Sequence, residues 1–262
     1  MLAVHWRTAA RTALTTGLTA LALAFLAASG HADEQRVQRL GLAIYAMPTS
    51  MAMGDVNDAI DDLNEFTASQ GLAPIDKITW AGLFGLEARF FATRHWVVTA
   101  GVGRISKQSL LDLQPAATTF LQVKAKVRTV PLNLGVDYYF EPKTSGDFSL
   151  RPFVGGGFMS LPETKVSLGG QFQSPDTTFG ETSTSLGEGA GGYLEGGIHM
   201  MFPSRYSVII NANFRYAKTT RLYDETTGAL VLNDDGTPLE ADFTGFGIRF
   251  AIQANILGKP PE

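Results

Sequence analysis

A chain of 262 residues with no cysteine, 45% hydrophobic residues and a net charge of −4 fits one barrel-sized domain. The acidic balance disfavours nucleic acid as a partner, and the missing cysteines exclude disulfides and thiolate metal sites. A mean hydropathy of +0.05 suits a soluble domain, and equally a β-barrel whose lipid-facing and lumen-facing residues cancel.

Residues 1–32 read as a secretory signal. Arg7 and Arg11 precede an apolar run from Leu14 to Ala28, and Ser29-Gly30-His31-Ala32 offers small residues for cleavage before Asp33. The run is shorter than the roughly 20 residues a spanning helix needs. No comparable apolar run follows, so a membrane-embedded mature chain must cross with strands. Residues 33–258 are then the barrel domain and 259–262 a short tail.

The next signal is a period of two. A strand is expected over 37–48, followed by a long connection, 49–76. Within it residues 55–66 form an amphipathic helix, with Val56, Ala59, Ile60, Leu63 and Phe66 on one face. Asp55 and Asn57 hint at a calcium loop, but Ile60 and Phe66 stand where Gly and Glu are required, so a surface helix over the barrel mouth is expected instead. Over 77–91, Ile78, Trp80, Gly82, Phe84, Leu86, Ala88 and Phe90 alternate with Thr79, Ala81, Leu83, Gly85, Glu87 and Arg89, which is strand and not helix spacing.

Further strands are expected over 96–108, 120–140, 150–161, 188–202, 206–220 and 243–257, giving eight. The facing of 150–161 is ambiguous. Lys124, Lys126 and Arg128 share parity with lipid-facing Val130, which would let them meet lipopolysaccharide phosphates above the hydrocarbon. The alternative is a bulge near Arg128 that turns Leu121, Val123, Ala125 and Val127 outward. Gly187–Gly192 spells a dinucleotide-binding motif, yet an alternating strand follows it, so its glycines are read as easing curvature. Asp235-Gly236 marks a hairpin tip.

Short connections (92–95, 141–149, 203–205) alternate with long ones (49–76, 109–119, 162–187, 221–242), as in barrels with periplasmic turns and extracellular loops. Trp96, Tyr138, Tyr139, Phe140, Phe202 and Tyr206 lie by the short turns, where an aromatic girdle belongs. Glu87, Arg89, Asp137, Glu195, Arg215 and Arg249 face the lumen, and eight strands leave room only for side chains to fill it. These charges are expected to pair as a plug; the competing reading lines a narrow channel with them.

The stretches Thr129–Phe140 and Arg151–Gly157, with Asn213-Phe214-Arg215-Tyr216, resemble the outer-membrane protein β-barrel domain family, the small barrels that include OmpA-, OmpX- and OmpW-like proteins. The resemblance implies an all-β, eight-stranded, antiparallel up-and-down transmembrane barrel in the outer membrane of a Gram-negative cell. It also implies a monomer, contact with outer-membrane lipid and lipopolysaccharide, and the barrel-assembly machinery as partner during insertion. The chain departs from such barrels in running past Leu257 into Gly258-Lys259-Pro260-Pro261-Glu262, where they end on an aromatic residue. A non-enzymatic structural or surface-interaction role is expected, with a channel for small or apolar solutes or a lipid A-modifying enzyme as rivals. His95 sits in a short turn and His199 faces inward near the periplasmic end, so neither is placed for nucleophilic catalysis at the outer rim. No cofactor or metal cluster is expected.

Overall fold

The computed structural model describes residues 40–69, 73–116, 119–145, 148–174, 177–233 and 235–257. The expected signal sequence and the C-terminal tail lie outside the described residues.

Twelve elements follow one another: β1 (Leu40–Ser50), α1 (Gly54–Ser69), β2 (Trp80–Phe91), β3 (Trp96–Ala116), β4 (Thr119–Thr129), β5 (Leu132–Tyr139), β6 (Lys143–Ser145), β7 (Phe148–Ser174), β8 (Thr177–Met201), β9 (Tyr206–Asp224), β10 (Ala241–Asp242) and β11 (Gly245–Leu257). β4 and β5 are one stave. Thr129 pairs with Ile105 and Leu132 with Val102, so the register on β3 runs unbroken past Pro131, which lacks the N–H to continue the ladder. Each long strand pairs antiparallel with its sequence neighbours, and β1 pairs with β11 from Leu40↔Leu257 to Thr49↔Gly247. That last pairing closes a ring of eight staves.

The ring is inside out relative to a soluble protein. Leu194 is 67% exposed and Phe84 64%, and Ile44, Leu86, Phe158, Ile252 and Ile256 are likewise exposed, while Arg89, Asp137 and Arg215 are wholly buried. A soluble monomer does not present a continuous apolar belt of this kind to water. It is the surface of a transmembrane barrel, in which closure satisfies every backbone donor and acceptor without water. Among the described residues no helix is long and apolar enough to cross a membrane.

Two expected loops are strands. Residues 109–116 and 119 belong to β3 and β4, and 162–174 and 177–187 belong to β7 and β8. The limb of β8 is rich in Thr, whose branched side chain favours strands, and alternation is weak there because neither face meets lipid. Ile78, which alternation puts on the lipid-facing side, is fully buried. The Asn57 side chain accepts from its N–H (2.8 Å) and donates to its carbonyl (3.2 Å), which ties residues 73–79 to α1 before β2 begins at Trp80.

The ambiguous facing of β7 is resolved by a bulge. Arg151, Phe153, Met159 and Leu161 point inward and Val154 and Phe158 outward, but beyond a register shift between Leu161 and Thr164 the inward residues are Thr164 and Val166. The extra residue opposite β4 thus lies on β7; Val123, Ala125 and Val127 are buried, which overturns the outward-facing bulge considered near Arg128. A Cβ on Gly191 would strike the Tyr216 carbonyl oxygen, which explains a glycine-rich strand without any nucleotide. The hairpin tip at Asp235-Gly236 is present, with Gly236 at φ 80°.

Ile44→Arg, a charge placed in the middle of the apolar belt on β1, is expected to cost about 2–4 kcal/mol of stability in lipid vesicles. Urea titration followed by tryptophan fluorescence measures it.

Candidate functional site

The lumen is built in layers, because every inward side chain must pack against the opposite wall. The middle layer is ionic. β2 contributes Glu87 and Arg89, two residues apart and so on the same face. Arg89 Nη1 donates to Glu87 Oε1 (2.8 Å), while its Nη2 meets Asp137 of β5 and the Tyr139 hydroxyl (3.0 Å). Arg249 of β11 donates from Nη1 to Glu87 Oε2 (2.6 Å) and lies 3.2 Å from Glu195 of β8. Asn211 of β9 ties the group together, accepting from Arg249 Nε at 2.8 Å and donating to Glu195 at 2.5 Å. Three carboxylates and two guanidiniums from four staves, joined by Asn211 from a fifth, form one network.

Five of the six lumen charges expected from the sequence therefore meet. Arg215 does not. Its Nε donates to the Phe243 carbonyl (2.7 Å) and Nη2 to the Ser50 carbonyl (3.0 Å), near the loop end of the barrel. There it fastens the chain entering β11 to the chain leaving β1. Parity places Arg215 inside correctly but says nothing of its height along the barrel. Tyr139, grouped with the girdle aromatics, is also corrected: it is fully buried in the lumen. Trp96, Phe140, Phe202 and Tyr206 are exposed, and Tyr138 is half-buried between Trp96 (5.1 Å) and Phe140 (5.4 Å).

Below the ionic layer, on the short-turn side, aromatic rings fill the bore. Tyr139 stacks on Phe153 at 5.1 Å and tilts against Phe91 at 5.7 Å, with the Arg151 guanidinium 5.1 Å from the Tyr139 ring centre. His199 is buried here, its Nε2 2.7 Å from Ser207 Oγ and its Nδ1 3.2 Å from the Tyr139 hydroxyl. Sequence reading missed this serine; inward parity of Ser207 opposite β8 was the available signal. The pair has a phenol where a catalytic triad has a carboxylate, and both residues are buried.

Above the ionic layer, Met47, Leu83, Ile105, Val127, Met159 and Leu161 are buried. Between them and the charges lies a cavity of about 20 Å³, bordered by Tyr45, Asn133, Tyr193 and Asn213. That holds about one water molecule. Buried hydroxyls link three staves higher up: Thr219 donates to Thr164 (3.0 Å) and Thr164 to Thr129 (3.1 Å).

The loop end is capped. On α1, Val56 and Ile60 are buried and Ala59 and Leu63 half-buried; the side chain of Phe66 lies outside the described residues. Asp55, in the first turn, accepts from Asn233 Nδ2 and from the Glu240 N–H, both at 2.9 Å, so α1 is bound to the fourth long loop. Where that loop begins, Asp224 accepts from the Thr227 N–H (2.6 Å) and hydroxyl (2.8 Å) and from the Thr226 N–H (3.1 Å), which holds its carboxyl below the usual carboxylate range.

Outside the barrel, Lys124 and Arg128 are exposed and Lys126 half-buried, on the outward face of β4. Arg104 of β3, a residue not singled out from the sequence, is likewise exposed. None of the four has an ion-pair partner among the described residues, unlike neighbouring Lys165, which reaches Glu225 at 3.3 Å and Glu163 at 3.7 Å.

No family model matches the sequence, and no curated protein matches it. Among solved structures, the chain is similar to the N-terminal β-barrel domain of Pseudomonas aeruginosa OprF at 11% identity, covering 82% of this chain and 97% of that one with a TM-score of 0.33. It is similar to Ail, the attachment invasion locus protein of Yersinia pestis, in complex with the heparin analogue sucrose octasulfate (13% identity, 82% and 96% covered, TM-score 0.29). The outer membrane protease OmpT of Escherichia coli also matches (9% identity, 83% and 95% covered, TM-score 0.28). Barrels of this kind are what the sequence motifs resemble; the fold of this chain rests on its own strand pairings.

Glu87→Ala leaves two buried guanidiniums short of a partner and is expected to cost about 3–5 kcal/mol, read from urea unfolding of the folded protein in vesicles. The turn at Asp224 has a pH dependence of definite sign. A lowered carboxyl stabilises the turn above the ordinary carboxylate range and ceases to do so as pH falls through its own, lower value. An NMR carboxyl titration of Asp224 should therefore show a midpoint below those of exposed aspartates that accept no such bonds.

Proposed function

We propose that the protein is an integral outer-membrane barrel of a Gram-negative cell, exported by the signal sequence over 1–32, with a closed lumen and a structural or surface-interaction role. The observation that carries this reading is the layered packing of side chains along the bore. Aromatic, ionic and apolar layers succeed one another from Phe153 through Glu87 to Leu83, with a cavity of about 20 Å³ between them. A solute path would require taking apart an ion network drawn from four staves, at a cost of several kcal/mol. The protein acts as a monomer, is inserted by the barrel-assembly machinery, and neither nucleic acid nor a metal or cofactor is part of the proposal.

The exterior then carries the function. Arg128, and Arg104 beside the belt residue Phe84, are assigned to lipopolysaccharide phosphates, with Lys126 and Lys124 continuing the stripe upward. At about 3.3 Å per residue the two lysines lie about 7 and 13 Å further along the strand. Guanidinium groups suit phosphate oxygens because they donate in pairs.

In planar lipid bilayers the purified protein is expected to give no steady single-channel steps; regular unitary steps would establish the channel reading instead. Replacing Arg104 and Arg128 together by Gln is expected to weaken binding of purified lipopolysaccharide about tenfold, about 1.4 kcal/mol, in a calorimetric titration. Mass spectrometry of lipid A from cells with and without the protein tests the enzymatic rival, which predicts an altered lipid profile.

A further inference from the structure

The polar side chains around the cavity of about 20 Å³ in the bore come from six staves: Tyr45 of β1, Glu87 of β2, Asn133 of β5, Tyr193 of β8, Asn213 of β9 and Arg249 of β11. Buried polar atoms of a folded chain are nearly always hydrogen-bonded. Four atoms at this cavity are not bonded within the protein. Tyr45 Oη, Asn133 Oδ1, Asn213 Oδ1 and Arg249 Nη2 have no hydrogen-bond partner among the described residues, although Nη2 lies 3.2 Å from Glu195.

The barrel wall holds these atoms in place. Tyr45 pairs with Gly85 across the β1–β2 ladder, and Gly85 pairs with Gly103 on β3. A Cβ on Gly85 would stand 2.5 Å from the Tyr45 hydroxyl, and one on Gly103 3.0 Å from it. With glycine at both positions the ring has room to lie along the wall. The Arg249 guanidinium lies 5.4 Å from the centre of that ring, its Nε fixed by Asn211 (2.8 Å) and its Nη1 by Glu87 (2.6 Å).

The four atoms make a balanced set. The two amide oxygens accept, whereas the phenol O–H and the guanidinium N–H donate. Their complement is a molecule that donates twice and accepts twice. The space admits one molecule of the size of water. Charge excludes ions. A cation would sit against the Arg249 guanidinium, and three neutral oxygens are fewer than the six or so that calcium takes. An anion would sit against Glu87, whose two oxygens are already taken by Arg89 and Arg249.

We propose that this cavity is a binding site for a single water molecule, which donates to the Asn133 and Asn213 amide oxygens and accepts from the Tyr45 hydroxyl and Arg249 Nη2. It ties β1, β5, β9 and β11 together and completes the hydrogen bonding of Arg249 at the top of the ionic layer. Met47, Leu83 and Met159, all buried, close the cavity on the apolar side, and the ion network closes it on the other. The water leaves only when these layers part, so its residence time measures how often the lumen opens.

The test uses the full-length protein in lipid nanodiscs and NMR cross-relaxation from water to the side-chain amide protons of Asn133 and Asn213. Cross-peaks at the water frequency are expected, with the sign of a molecule that stays bound for longer than the particle takes to tumble. Tyr45→Phe leaves three of the four partners, so the peaks should persist. Their loss would mean that the signal is relayed through the phenol proton, which overturns the proposal. Asn213→Leu removes one acceptor and leaves an apolar group in its place, so the Asn133 peak should fall about fivefold. The proposal is also overturned if the unaltered protein gives no such peaks, or gives them with the sign of freely exchanging solvent. An unchanged Asn133 peak in Asn213→Leu, with the heat-dependent gel mobility of a folded barrel, overturns it too. Should Asn213→Leu fail to fold, the unaltered protein and Tyr45→Phe decide alone.

Discussion

Everything in this molecule depends on pairing every backbone amide inside the hydrocarbon. A strand in lipid has no water to satisfy its edge, and an unpaired group there costs several kcal/mol. The only relief is for the last stave to find the first, and the β1–β11 ladder does so along almost the whole of β1. Closure fixes the polarity of the surface. With lipid outside, the outward residues must be Ile44, Leu86, Leu194 and their like, and the charges have nowhere to go but inward.

The inward turn of the charges has its own consequence. Eight staves enclose a bore narrow enough to be filled by side chains. Glu87 accepts from two guanidiniums at once, and Asn211 supplies the neutral donor and acceptor that complete Glu195 and Arg249. Stacked rings below and aliphatic side chains above keep water from screening the network. A lumen of this kind ties distant staves together, Glu87 of β2 being bonded directly to Arg249 of β11.

Beyond the lipid the constraint lapses, and the architecture changes at that boundary. Bulges in β7 and β9 shift the register at about the level where the apolar belt ends. Four staves go on as an open sheet and the other four give way to α1 and the fourth loop, which bind one another through Asp55. An edge that would be intolerable in hydrocarbon is tolerable in water.

The two-residue period of the sequence determined which way most side chains point, because adjacent residues of a strand must face opposite sides. It placed Glu87, Arg89, Asp137, Glu195 and Arg249 inside and Trp96, Phe140 and Phe202 outside, and the short polar turns determined which end is which. Helical spacing around Ile60 determined α1 in the same way. Tertiary structure alone decided who meets whom. Facing is a local property, whereas the height of Arg215, the approach of Ser207 to His199 and the burial of Ile78 against Asn57 depend on register between segments far apart in sequence. The upward run of β7 and β8 was hidden for a related reason: with water on both faces a strand has no need to alternate, so its sequence keeps β-propensity and loses the pattern.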